Sequence, residues 1–232
     1  LAVTERGAEH YARRGMKGAL LGDEAVVALT GERAESVLRS PQIEYARRRA
    51  RRAGYRAVFR RQRDIAPAEL AELAALSDDW RRGGDERGFS MALSRTADPT
   101  DADSLVATAH DASGRIKALL VFVPWNRDGL SLDVMRRSPD AMNGTTELLV
   151  SELIRAAESL GVRRASLNFA AFRDALVRGS RVGAGPLLRA RRSLLLLLSH
   201  HWQLDSLRRA NEKYDPEWRP RLVMWSRTAP VT

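Results

Sequence analysis

The stretch LSLDVMRRSPDAMNGTTELL, Leu130 to Leu149, sets an aspartate, two arginines and an Asn-Gly between a strand pattern and a helix pattern. A helix start presents free N–H groups and positive potential. With Arg136 and Arg137 just ahead of it, this one is expected to hold a phosphate or a carboxylate. Asn143 or Gly144 is the expected N-cap, and Glu147 is spaced to close a capping box in the second case. Spacing also allows a plainer arrangement, in which both arginines pair with Asp133, Asp140 or solvent.

Charge is the second chemical feature. The chain has 39 Lys and Arg against 29 Asp and Glu, a formal net charge of +10 that favours nucleic acid or anionic lipid as partner. Much of the excess lies in YARRRARRAGYRAVFRRQR, Tyr45 to Arg63, which has nine arginines and no acid. These arginines are expected to circle their helix and leave it wetted all round. Arg48, Arg51 and Arg52 are the expected contacts to nucleic-acid phosphates, the alternative being a solvated basic face.

Other chemistries are excluded by what is missing. Without cysteine there are no disulfides, thiolate nucleophiles or cysteine-ligated zinc, which suits a cytosolic setting. His200-His201 has too few companions to form a metal centre, and none is expected. Ser77 and Ser199 have no triad arrangement around them. RVGAGP, from Arg181, has neither Walker nor dinucleotide spacing and reads as a loop. The apolar run Leu194–Leu198 falls far short of the roughly 20 residues of a membrane span. Its surroundings, ARRSLLLLLSHHW, fit either a core helix or a helix at a lipid interface.

Elements must position these residues. Hydrophobic content of 44% with 29% charged residues is that of a globular chain, and its start, lacking a signal-peptide pattern, reads as that of an excised domain. Residues 18–28 read as a strand pair turning at Gly22-Asp23. Pro41 and Gly54 bracket a basic helix, followed by a short strand at Tyr55–Phe59 and a helix from Ala66. Strands are expected at Ser104–Ala109, Ile116–Trp125 and Leu130–Met135, joined by the turns DASG and NRDG. A helix from about Gly144 to Leu160, a strand at RRASLNFA, a long helix from about Pro186 to Lys213 and a strand at RLVMW complete the series. Such a mixture predicts an α/β fold with a mixed, largely antiparallel sheet.

Five segments in order now carry a resemblance: LGDEAVV, ALSDDWRRGGDERGFSMAL, VFVPWNRDGLSLDVMRRSPDAMNG, SLNFAAFR and NEKYDPEWRPRLV. Together, from about residue 18 to 226, they resemble the synthase domain of bacterial lysyl-phosphatidylglycerol synthases, the multiple peptide resistance factors. Departures from the family pattern are Asp79 for Glu, Met142 for proline, Tyr214 for Phe and Leu222 for an aromatic.

The resemblance implies a tandem GNAT-type acyltransferase fold, with halves at residues 1–115 and 116–232 and most of the site in the second. It implies transfer of a lysyl group from charged tRNA to a hydroxyl of phosphatidylglycerol, without a cofactor, at the cytoplasmic face of the membrane. The product lowers membrane negative charge and so confers resistance to cationic peptides. Fused membrane helices or a lysyl-tRNA synthetase are the partners it implies in a full-length chain. Asp133 and Arg136 match the family's D-x-x-R pair, needed for activity, and Lys213 and Arg221 match its K-F-x-P-x-W-x-P-R segment. Arg137, Asn143, Glu147 and Asn168 are the further substrate-binding candidates. Transfer of alanine or arginine, a peptidoglycan acceptor, or a non-catalytic basic RNA- or membrane-binding module are the competing readings. The missing R-x-x-G-x-G/A motif argues against coenzyme A.

Overall fold

The computed structural model describes residues 2–81, 98–171 and 204–226. In chain order its elements are β1 (Ala2–Thr4), α1 (Glu5–Ala12), β2 (Lys17–Ala28), α2 (Gly31–Arg39), α3 (Pro41–Arg52), β3 (Arg56–Arg61) and α4 (Pro67–Trp80). Then come β4 (Leu105–His110), β5 (Ile116–Trp125), β6 (Gly129–Arg137), α5 (Thr145–Ala156), β7 (Arg164–Ala171), α6 (Leu204–Glu212) and β8 (Glu217–Trp225). RVGAGP, the leucine run and His200-His201 lie outside the described residues, as do parts of the ALSDDW and SLNFAAFR segments.

The chain divides into two compact units: Leu1–Val26 with Phe169–Glu212 and Pro216–Thr232, and Val27–Asn168 with Lys213–Asp215. Within the first unit, β8 pairs antiparallel with both β1 and β2. The expected turn at Gly22-Asp23 is instead a bulge in one long strand. Pairing steps from Leu20/Leu222 to Gly22/Arg221, which absorbs one residue without reversing the chain.

In the second unit, β3, β4, β5 and β6 pair antiparallel in sequence, and β7 joins β6 in parallel. The expected mixed, largely antiparallel sheet is therefore present. Its strands read as continuous apolar runs because both faces are covered. Leu105, Leu120 and Phe122 pack with Ile43 of α3 and with Leu149 and Leu153 of α5 on one side. Val106, Leu119 and Val121 pack with Leu73 of α4 on the other. Each such large side chain, fully buried, contributes roughly 1.5–3 kcal/mol.

α3 ends as expected, for a steric reason. Gly54 has φ +80°, and a Cβ there would stand 2.6 Å from that of Ala112 in the β4–β5 turn. Only glycine fits both the left-handed backbone and the close approach. β1, α1 and α2 were not legible in the sequence. α1 buries Ala8 alone and α2 only Ala34 and Val37, too few apolar residues to mark a helical stripe.

The β4–β5 turn is built around Asp111. Its Oδ1 accepts from the Ser113 hydroxyl at 2.6 Å and from the N–H groups of Ser113 and Arg115 at 2.9 and 3.0 Å. These bonds, the Ser113 hydroxyl foremost, lower its pKa from 3.8 to about 2. A carboxylate depressed in the folded state stabilises fully above its unfolded pKa, and that contribution fades as pH falls from about 4 to about 2. Asp111→Asn is therefore expected to lower the melting temperature at pH 7. Thermal unfolding across pH should show the wild-type advantage closing between pH 4 and 2.

Candidate functional site

β6, GLSLDVMRR, should turn Leu130, Leu132 and Val134 the same way if it were unbroken. It is broken. Pairing with β5 runs Val121/Val134 and then Phe122/Leu132, so Asp133 is an extra, bulged residue. Leu130 and Leu132 therefore pack in the α5 core, while Val134 joins the α4 core with Leu119 and Val121. The register carries Arg136 along with Val134, level with Leu119 on the α4 side. A bulge of this kind re-aims side chains beside functional sites.

β7 adds a second contribution. Its parallel register with β6 passes through Gly129/Arg164, Leu130/Ala165 and Ser131/Ser166. Asp133 and Asn168 each follow the last of these pairs by two residues in their own strands. Both lie toward the carboxyl end of a parallel pair, where α/β sheets bind ligands. Asp133 and Arg136 are half-buried, and Arg136 Nη1 donates to the Met135 carbonyl at 3.1 Å. A carboxylate and a guanidinium on one strand can accept a proton and stabilise developing negative charge.

The helix start does not assemble the expected anion site with the two arginines. Gly144 is the N-cap, with φ +98°, but α5 packs against the opposite face of the sheet from the Arg136 row. Glu147 supplies the negative charge at this terminus itself. Its carboxylate receives the Lys213 ammonium rather than closing a capping box. Arg137 and Asn143 are both exposed. Asp140 does not serve the arginines either: it accepts from Lys117 at 2.6 Å and from Ser138. That bond raises the Lys117 pKa and lowers that of Asp140. The single lysine in the apolar run IKALLVFV was the overlooked sign of this pair.

Lys213, Tyr214 and Asp215 fasten to the second unit one after another. Lys213 reaches Glu147, Tyr214 lies in the core, and Asp215 accepts from Arg33 through its carboxylate at 3.3 Å and its carbonyl at 2.9 Å. The Tyr214 ring also lies under the Lys213 ammonium, 5.2 Å away. Tyr214 is 2% exposed, and its hydroxyl has no partner among the described residues. Burial first, then the Glu147 charge, hold its pKa well above the ordinary phenol value, so it stays protonated. An unsatisfied buried hydroxyl costs about 1 kcal/mol or more. Tyr214→Phe is expected to raise the melting temperature by about 2–4 °C, measured by thermal unfolding. A fall would reveal a partner for the hydroxyl.

Arg221 lies in the first unit and pairs there with Glu24, both side chains largely buried. The arginines of α3 do not circle an evenly wetted helix. Arg47 and Arg51 both turn to Glu152 of α5, at 3.5 and 3.2 Å, because the neighbouring helix offers a carboxylate there. Arg48 pairs with Glu44 one turn away, and Arg52 is exposed.

The sequence model of the family described as "Phosphatidylglycerol lysyltransferase, C-terminal" matches residues 1–224. The chain is 48% identical over 228 residues to the lysylphosphatidylglycerol biosynthesis bifunctional protein LysX of Mycobacterium avium (strain 104), covering 97% of this chain and 19% of that protein. It is 47% identical to LysX of Mycobacterium tuberculosis (strain F11), with the same coverage. It thus spans about a fifth of the length of these curated relatives. In fold it is similar to the solved L-PGS of Bacillus licheniformis, with TM-score 0.72 and 21% identity over 99% of this chain and 68% of that one. A C-terminal domain (DUF2156) solved from Agrobacterium fabrum gives TM-score 0.68 and 21% identity, over 96% and 66%. The match over residues 1–224 and the 48% identity make the conclusion plain: this chain belongs to the phosphatidylglycerol lysyltransferase C-terminal family.

Proposed function

We propose that this chain catalyses transfer of a lysyl group from charged tRNA to a hydroxyl of phosphatidylglycerol. Family membership supports the reaction class, and the bulge that singles out Asp133 beside Arg136 is the observation that carries the site. In the proposed step the lipid glycerol oxygen attacks the aminoacyl ester carbonyl, and its proton passes to Asp133. Arg136 stabilises the tetrahedral oxyanion. The C–O bond to the tRNA ribose then breaks, and the ribose oxygen takes the proton back. Asn168 of β7 orients the donor amine. No metal or cofactor is required by this balance. Exposed arginines of α3 supply phosphate contacts to the tRNA, an effect that weakens with salt.

The setting is the cytoplasmic face of an anionic membrane, in a longer chain with membrane helices or a synthetase domain attached. Among the described residues no helix is long and apolar enough to cross a membrane. The decisive experiment incubates the chain with phosphatidylglycerol vesicles and tRNA charged with labelled lysine, alanine or arginine, followed by lipid extraction. Label from lysyl-tRNA in the lipid is the expected result. Label from alanine or arginine alone would correct the donor, and none from any donor would overturn the reading.

A further inference from the structure

The outer face of α3 combines charge with an aromatic ring that the proposed chemistry does not use. Tyr45, Arg48, Arg49 and Arg52 recur at i, i+3, i+4 and i+7, so they form one stripe along the helix. All four are exposed, Tyr45 at 67%, while Ile43 and Ala50 on the opposite side are buried. Arg48 is tied to Glu44, but Arg49 and Arg52 form no ion pair among the described residues. Tyr45 thus offers a ring face to solvent between guanidinium groups, the combination on which a base can stack while phosphates are held.

We infer that this stripe binds an unpaired RNA segment, with Tyr45 stacking on a base and Arg49 and Arg52 holding adjacent phosphates. The inference rests on the reading of charged tRNA as donor and adds an aromatic contact selective for unpaired nucleotides. Three observations favour RNA over a bilayer. Apart from Tyr45 the stripe carries no apolar side chain, whereas a helix at a lipid interface needs an apolar face. Arginine alone supplies the charge, and its planar head both stacks and bridges phosphate oxygens. α2, joined to α3 through Ser40, exposes Glu32 and Glu35 along with Arg33 and Arg39, so the basic excess is confined to α3 and does not extend over both helices as a flat anionic surface would favour. A single strand can follow α3 alone.

The test measures binding of the 232-residue chain to a fluorescent RNA hairpin with a four-nucleotide 3′ extension and to the same hairpin made blunt. Tyr45→Ala should weaken binding of the extended hairpin by about 5- to 150-fold, the range for losing one stacked base, and leave the blunt one unchanged. Its salt dependence should stay as in wild type, and Tyr45→Phe should restore affinity. Arg49→Gln with Arg52→Gln should weaken both hairpins and reduce the logarithmic salt slope by about 1.5. Wild-type binding with no selective effect of Tyr45→Ala overturns this inference alone. Failure of wild type to bind either hairpin overturns it together with the tRNA reading. Loss of sedimentation with phosphatidylglycerol vesicles in Tyr45→Ala, with RNA binding intact, would assign the stripe to a bilayer instead.

Discussion

Arg136→Ala is expected to cut lysyl transfer by about 10²- to 10³-fold, the loss seen when one oxyanion-stabilising donor is removed, or roughly 3–4 kcal/mol. Asp133→Asn should lower it at least as far, because the carboxamide keeps the shape of the side chain but accepts no proton. Neither change touches the arginine face of α3, so RNA affinity should remain near wild type. The competing account makes the two residues a local brace for the bulge. Under that account both variants melt earlier and recover turnover on cooling. Turnover and thermal unfolding on the same samples separate the two. Near-wild-type turnover in either variant would remove that residue from the site.

The sequence made much of the second unit legible because local patterns and tertiary packing agree there. Pro41 to Gly54 is a helix with a glycine stop, and Ile116–Trp125 is a strand with the expected bounds. What it hid were effects of register. Alternation in LSLDVM predicts one apolar face, yet the bulge at Asp133 splits Leu132 and Val134 between two cores. No residue type in that stretch announces it, since the shift is set by pairing with β5. The same physics turned the Gly22-Asp23 turn into a bulge. Partner choice was equally opaque: Arg51 reads as a phosphate contact until α5 places Glu152 beside it, 101 positions away in sequence. Charge patterns therefore located the basic helix but not which of its arginines face outward.

Breaking the Glu147–Lys213 pair should cost more stability than any surface change, and unequally from its two ends. The side chains are 18% and 15% exposed, so each loses most of its hydration on folding. Removing one partner from such a pair costs about 3 kcal/mol or more, because the remaining charge is left without compensation. Lys213→Met leaves Glu147 in the first turn of α5, where the helix N-terminus still favours a negative charge. Glu147→Gln leaves the Lys213 ammonium against that same positive terminus, steadied among the described residues by the Tyr214 ring. Glu147→Gln should therefore be the more damaging, lowering the melting temperature by about 6–12 °C for ~3 kcal/mol. Lys213→Met should lower it less. The double variant should recover most of the loss, as expected for residues whose effects are coupled. Thermal unfolding of the four proteins tests this, and equal, additive losses would show that the two charges do not depend on each other. Lysyl transfer by the double variant then separates structure from substrate binding. A refolded but inactive protein would place the pair in contact with substrate, and full activity would leave it as the clasp that fixes Lys213–Asp215 to the second unit.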